Sequence, residues 1–217
     1  MNQKEYKEQL EKRMVEVYKG DQERNRWFCS EKKLEDYSTT RLAIQKSLLG
    51  EEFNTCLEIG CGPGTFTKAV LDMNPNTDIT AVDLSPEMIR QAKINLSGKD
   101  INFVTGDFLK FESSEKYDLV FSSRAIEYIA DKNVLVGMID RYLKPGGLGI
   151  IVTKQPHPIH TWFWGLTHKI NPEHLMRIGE NELRKLLENR GFTDITIKPV
   201  IKRGLMFNES YIIKFRK

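Results

Sequence analysis

The stretch that decides the fold is T-C-L-E-I-G-C-G-P-G-T-F, residues 55–66. A short apolar run (Cys56, Leu57, Ile59) meets three glycines in five positions, Gly60, Gly62 and Gly64, and a helical pattern opens at Thr65. A strand, a tight glycine turn and a helix start in that order cradle a small ligand, because bare backbone N–H groups face it at close range. Counting from Gly60, the sixth position is Thr65, so the dinucleotide pattern G-x-G-x-x-G is not met. Glu58 narrows the ligand further: a carboxylate at the strand end repels a pyrophosphate and suits an ammonium group.

Outward from this turn, strands and helices alternate. Strands are expected at 54–59, 77–83, 101–105, 117–122 and 148–153, and helices at 65–73, 86–96, 132–143 and 180–190. Ser85 before Pro86 and Asp131 before the next helix are N-caps, Pro145-Gly146-Gly147 stops a helix, and Gly191 ends the last one. The segment 192–216 carries two strand patterns with no helix between them, which reads as a hairpin. The expected fold is therefore α/β: a doubly wound, Rossmann-like, mostly parallel sheet of about seven strands, its last strand antiparallel, with helices on both faces. A single domain is expected over 1–217, with an N-terminal helical cap at 1–50 and a Rossmann-like core at 51–217. The cap carries helical patterns at 3–19 and about 34–49, and a lid is inserted in the core at about 154–178.

Composition excludes several classes. The 33 basic and 30 acidic residues are interspersed, leaving a net charge of +3, except for a basic run at Lys198, Lys202, Arg203, Lys214, Arg216 and Lys217. This reads as a solvated surface, and a nucleic-acid partner is not expected. No apolar run approaches the ~20 residues that span a bilayer, and the polar N-terminus does not resemble a secretory signal. Cys29, Cys56 and Cys61 have neither zinc nor disulfide spacing, so the expected setting is the cytoplasm with reduced thiols. Nothing in the sequence sets the oligomeric state.

Two further acids extend the cradle. Asp83 closes the second strand 23 residues after Gly60, where a carboxylate accepts hydrogen bonds from ribose hydroxyls. Asp107 beside Phe108 ends the third strand, where an acid can pair with an adenine amino group while the ring packs on the base. An amino-acid end, a ribose and an adenine add up to S-adenosyl-L-methionine. In its motifs the chain resembles the class I S-adenosylmethionine-dependent methyltransferases of small-molecule type, close to the quinone-biosynthesis branch. The resemblance rests on E-I-G-C-G-P-G (58–64), A-V-D-L-S-P-E-M-I (81–89), V-T-G-D-F (104–108), Y-D-L-V-F-S-S (117–123) and L-K-P-G-G (143–147), in register over about residues 40–217.

The resemblance implies that Glu58, Gly60, Gly62 and Gly64 hold the methionine end and Asp83 the ribose. Leu84, Met88, Asp107 and Phe108 would line the adenine pocket, and Ser122 and Ser123 would approach the methionine and the sulfonium. In the quinone branch an arginine before the first strand pairs with the cofactor carboxylate; Arg41 fits that position and fits equally an ordinary surface arginine.

The acceptor is a small molecule on this reading, with oxygen favoured over nitrogen or carbon; a nearby N-P-P-Y or D-P-P-Y signature of amide and adenine methylation is absent. Candidate general bases are His157 and His160. With His168 and His174 they form H-x2-H-x7-H-x5-H, which matches no standard metal motif, so no metal is expected. Trp27, Trp162 and Trp164 are candidates for the acceptor pocket, where aromatic rings bind an apolar or cationic group, or else pack the lid on the cap. Two rivals stand: an RNA methyltransferase, and a non-catalytic S-adenosylmethionine-binding partner protein.

Overall fold

A computed structural model describes residues 31–156, 176–203 and 207–217. The expected helix at 3–19, Trp27, His157, His160, Trp162, Trp164 and most of the expected lid at 154–178 lie outside the described residues. Helix α1 (Glu31–Leu48) leads into β1 (Thr55–Ile59), α2 (Thr67–Met73), β2 (Asp78–Asp83), α3 (Pro86–Asn95) and β3 (Ile101–Thr105). After a 3-10 turn at Phe108–Lys110 come β4 (Tyr117–Ser123), a second 3-10 turn at Ile126–Tyr128, α4 (Lys132–Tyr142) and β5 (Leu143–Lys154). The chain closes with α5 (Glu180–Asn189), β6 (Thr193–Arg203) and β7 (Phe207–Arg216).

The seven strands form one sheet in the order β3-β2-β1-β4-β5-β7-β6. All neighbours are parallel except β7, which runs antiparallel to both β5 and β6. Topology follows from chain connection: helices must cross over between parallel strands, whereas β6 and β7 are joined directly and can only form a hairpin. Because both sheet faces are covered, the central strands are apolar on both sides. Cys56, Ile79, Phe121 and Ile150 face α1, α2 and α3, while Leu57, Val82, Val120 and Ile151 face α4 and α5.

The helix starts follow their cap chemistry. Ser85 Oγ accepts the Met88 N–H at 3.3 Å, and Asp131 accepts the N–H groups of Asn133 and Val134 at 2.9 and 3.0 Å. The largest boundary difference from expectation lies at β5. β5 begins directly at Leu143, five residues early, because Leu143 pairs with Tyr117 and the Pro145-Gly146-Gly147 kink is absorbed as an irregularity in the strand.

The basic run near the C-terminus is not one free patch. Lys214 and Arg216 both pair with Glu51, and Lys217 pairs with Asp140 at 2.8 Å. These pairs pin the hairpin to the end of α1 and to α4, so three of the six basic residues are used inside the fold. Among the described residues no helix is long and apolar enough to cross a membrane.

The open end of the sheet opposite the glycine turn is held by Asp118. It accepts the N–H groups of Asn54 and Thr55 at 3.0 and 2.9 Å and the Thr55 hydroxyl at 2.9 Å, and pairs with Lys144 at 2.8 Å. Burial opposes its charge, but the Lys144 ammonium and the Asn54 and Thr55 donors outweigh that and hold the carboxyl at about 2. With its folded pKa depressed, Asp118 stabilises the fold above the unfolded value of 3.8, and that contribution is lost as pH falls through about 2. Asp118→Asn is expected to cost about 1–2 kcal/mol at neutral pH and to lower the acid sensitivity of unfolding over that window. An unchanged acid limb in denaturant titrations of the variant would contradict this role.

Candidate active site

Strand β1 delivers Glu58 and the glycine turn to the carboxyl edge of the sheet, beside the point where strand order reverses between β1 and β4. The turn is sewn down from β2: Val82 O accepts the Gly60 and Cys61 N–H groups at 2.8 and 3.1 Å. Asp83 completes the stitching, accepting the Gly62 N–H at 2.8 Å and the Ser85 N–H at 2.9 Å. Two of the glycines have steric reasons. Gly60 has φ +72°, and a Cβ on it would lie 2.2 Å from the Ala125 Cβ. Gly64 has φ +81°, and its Cβ would lie 2.6 Å from Leu96 Cδ1. Both therefore need the left-handed region and the missing side chain at once.

Glu58 is 2% exposed and its carboxyl accepts the Thr67 hydroxyl at 2.6 Å. Burial, with the neighbouring Asp83 charge adding, pushes it up to about 8 against the opposing Thr67 bond. A buried acid of this kind suits a ligand cation that restores its charge. Burial also raises the Asp83 carboxyl, with its two backbone donors opposing. Cys61 sits in the turn, where burial and then the Glu58 and Asp83 charges push its thiol up. It is thus no nucleophile at neutral pH.

Several expected site residues have other duties. Arg41 pairs with Asp72 near the C-terminal end of α2. Ser122 donates its hydroxyl to Ile59 O at 2.9 Å, locking β4 to β1. Phe108 is 6% exposed and its ring packs against Phe111 and Tyr142 with centroids 6.4 and 6.3 Å away. In the 3-10 turn Asp107 accepts the Leu109 N–H at 3.0 Å, and Phe108 lies in the core cluster. Leu84 stays part-exposed at the end of β2, Met88 is buried on α3, and Ser123 Oγ is buried with no partner among the described residues.

Further residues complete this edge, of which only Glu127 stands out in the sequence, as the acid of the Glu127-Tyr128 pair after the fourth strand. Thr67 holds Glu58. Arg124, the first residue after β4, has φ +61°, and its N–H is fixed to Val152 O at 2.9 Å. A non-glycine residue pays about 1–2 kcal/mol for the left-handed region. Asp194, which shares that backbone at φ +51°, has the short polar side chain that tolerates it, whereas arginine does not. Tyr37 of α1 stacks on Phe66 at 5.6 Å; burial raises its hydroxyl to about 12, with the Arg124 charge pulling the other way. Glu127 is 2% exposed, with Oε1 accepting the Lys154 N–H at 2.9 Å and Oε2 unpaired among the described residues. A cation immediately after the fourth strand was the one signal in sequence that could have pointed to Arg124.

A doubly wound sheet with β7 reversed, and a buried acid beside a three-glycine turn at its switch point, define the class I methyltransferase architecture. Residues 52–191 match the family described as methyltransferase domain. The chain belongs to that family, whose cofactor is S-adenosyl-L-methionine. A malonyl-(acyl-carrier protein) O-methyltransferase 2 of Ilyobacter polytropus is 39% identical over 104 residues, 48% of this chain and 40% of the relative. A malonyl-(acyl-carrier protein) O-methyltransferase of a Paenibacillus species is 28% identical over 152 residues, 64% of this chain and 55% of the relative. The chain thus spans about half or less of the length of these relatives. The N-methyltransferase NodS of Bradyrhizobium japonicum, in complex with S-adenosyl-L-homocysteine, shares the fold with a TM-score of 0.72 at 19% identity, covering 95% of this chain and 97% of that one. The magnesium protoporphyrin IX methyltransferase of Synechocystis, with S-adenosyl-L-homocysteine bound, does so with a TM-score of 0.73 at 15% identity, covering 96% and 99%.

The geometry fits this cofactor: the glycine turn leaves bare backbone, the buried Glu58 seeks a cation, and Asp83 retains lone pairs for hydroxyl donors. Two measurements follow. Glu58 with a raised folded pKa contributes stability that is complete below the unfolded value of 4.5 and lost as pH rises through about 8. Glu58→Gln is therefore expected to melt higher than the parent above about pH 8, yet to bind S-adenosylhomocysteine roughly tenfold more weakly; a variant that binds as tightly as the parent would remove Glu58 from the site. Gly60→Ala, which drives a methyl into Ala125, is expected to abolish S-adenosylhomocysteine binding in calorimetry, and retention of parental affinity would show that the close approach is not needed.

Proposed function

We propose that the chain is an S-adenosylmethionine-dependent O-methyltransferase whose acceptor is a small carboxylic acid, of the malonyl-thioester type named in its relatives. The carrying observation is the cradle of Glu58, Gly60, Gly62, Gly64 and Asp83 at the sheet's switch point, and the relatives' names supply the oxygen. The cofactor supplies an electrophilic methyl group on a sulfonium. Glu58 would hold the ammonium end and Asp83 the ribose, while Leu84 and Met88 border the base. The turn itself excludes side chains from the place where the methionyl group lies.

A carboxylate acceptor needs little from the protein beyond alignment. Its oxygen forms the new C–O bond, the electron pair of the broken C–S bond stays on sulfur, and no proton is released. That chemistry dispenses with a general base, so His157 and His160 are not required by it. A hydroxyl acceptor would need one, and Glu127 with its unpaired Oε2 is the carboxylate after β4 that could take the proton. The RNA reading loses support from the internal pairing of Lys214, Arg216 and Lys217, and the scaffold reading from an intact cradle.

The test is transfer of labelled methyl from S-adenosylmethionine to the malonyl thioester of N-acetylcysteamine. The expected result is a methyl ester formed one for one with S-adenosylhomocysteine, and micromolar binding of the latter. Absence of S-adenosylhomocysteine binding would overturn the whole reading. Binding without transfer to any carboxylate acid, together with transfer to a hydroxyl acceptor that Glu127→Gln abolishes, would replace the carboxylate by the hydroxyl.

A further inference from the structure

One cation stands beside the glycine turn. Arg124 follows β4 directly, at the carboxyl edge where this fold binds its ligands, and its neighbour Ala125 is wedged against Gly60. The turn that carries it is fixed from three sides. Its own N–H bonds to Val152 O, the Tyr128 N–H bonds to Ala125 O at 3.0 Å, and the buried Lys132 side chain donates to Ile126 O at 2.8 Å and to Ile129 O. A left-handed arginine is held here rather than relaxed, and such outliers cluster where geometry serves a ligand.

The guanidinium itself is part-buried and makes no hydrogen bond or ion pair among the described residues. Elsewhere in the described chain, partly buried cations such as Lys214 and Lys144 are matched by Glu51 and Asp118. Its identified electrostatic neighbour is Tyr37, whose ring lies on Phe66 beside the start of α2. Desolvating an arginine without an anion is unfavourable, and no carboxylate among the described residues pairs with this one, which favours an anionic ligand at this edge. The methyl donor adds further positive charge beside it, which makes an anion the complementary partner.

We propose that Arg124 is the specificity-determining residue for the acceptor: its guanidinium binds the acceptor carboxylate and presents it beside the glycine turn. This rests on the reading of the chain as a carboxylate O-methyltransferase and adds to it the residue that recognises the acid. The planar guanidinium matches a carboxylate edge, leaving a lone pair of the bound oxygens for attack. Esterification removes the negative charge, so the same contact that selects the acid releases the ester. Arg124 thereby separates substrate from product by charge alone.

The experiment uses the full chain saturated with S-adenosylhomocysteine and two probes of the same length, the malonyl thioester of N-acetylcysteamine and its methyl ester. The parent is expected to bind the acid at least tenfold more tightly than the ester. Arg124→Gln is expected to lose that preference, through weaker binding of the acid alone, while keeping its affinity for S-adenosylhomocysteine within about twofold. The retained cofactor affinity reports that the variant is folded. Equal loss for acid and ester would reduce Arg124 to a shaping role and overturn the proposal. A tenfold loss of S-adenosylhomocysteine affinity would do so too, since the cation would then serve the cofactor's own carboxylate. Failure of the parent to bind S-adenosylhomocysteine would instead overturn the underlying methyltransferase reading, and parental binding of that ligand with no preference for the acid would overturn this inference alone.

Discussion

Two turns at the carboxyl edge of the sheet pack so closely that one of them must lack a side chain. Gly60 approaches Ala125 so nearly that a methyl group on it would overlap the alanine methyl at 2.2 Å. Everything else at the site depends on that approach. It brings the end of β1 against the end of β4, and it places Glu58 under the cradle and Arg124 beside it. Val82 O, holding two successive N–H groups of the turn, makes the arrangement rigid.

Charge is distributed over this edge by burial rather than by number. Glu58 and Asp83 are both raised by desolvation, Glu58 to about 8, so Glu58 tends toward its protonated form at neutral pH. An ammonium ligand reverses that tendency. On the other side Arg124 carries a charge that no described residue answers. The site is thus electrostatically unfinished on two sides with opposite sign, which suits one ligand with a cationic end and another with an anionic one.

Much of the fold was legible in the residues. Ser85-Pro86 and Asp131 start their helices as cap chemistry requires, and the double apolar faces of β1, β4 and β5 announced a covered parallel sheet. Local logic is silent where a side chain has a choice of partners. Arg41 pairs with Asp72, Ser122 donates to a carbonyl of β1, and Phe108 packs on Phe111 and Tyr142. Asp72, Ile59 and Tyr142 are far from these residues in the chain and close in space.

The sequence by itself determined the alternation of strands and helices, the direct β6–β7 hairpin and the glycine cradle with its two acids. These follow from short-range chemistry: periodicity, caps, and the need for glycine at positive φ. Only the tertiary structure decided which polar groups remained without partners. Burial of Glu58, the engagement of Arg41 and the lack of a side-chain partner for Arg124 among the described residues all depend on how segments far apart in the chain pack. A side chain's hydrogen bonds and charge balance are settled by what packing brings beside it, and no local pattern encodes that.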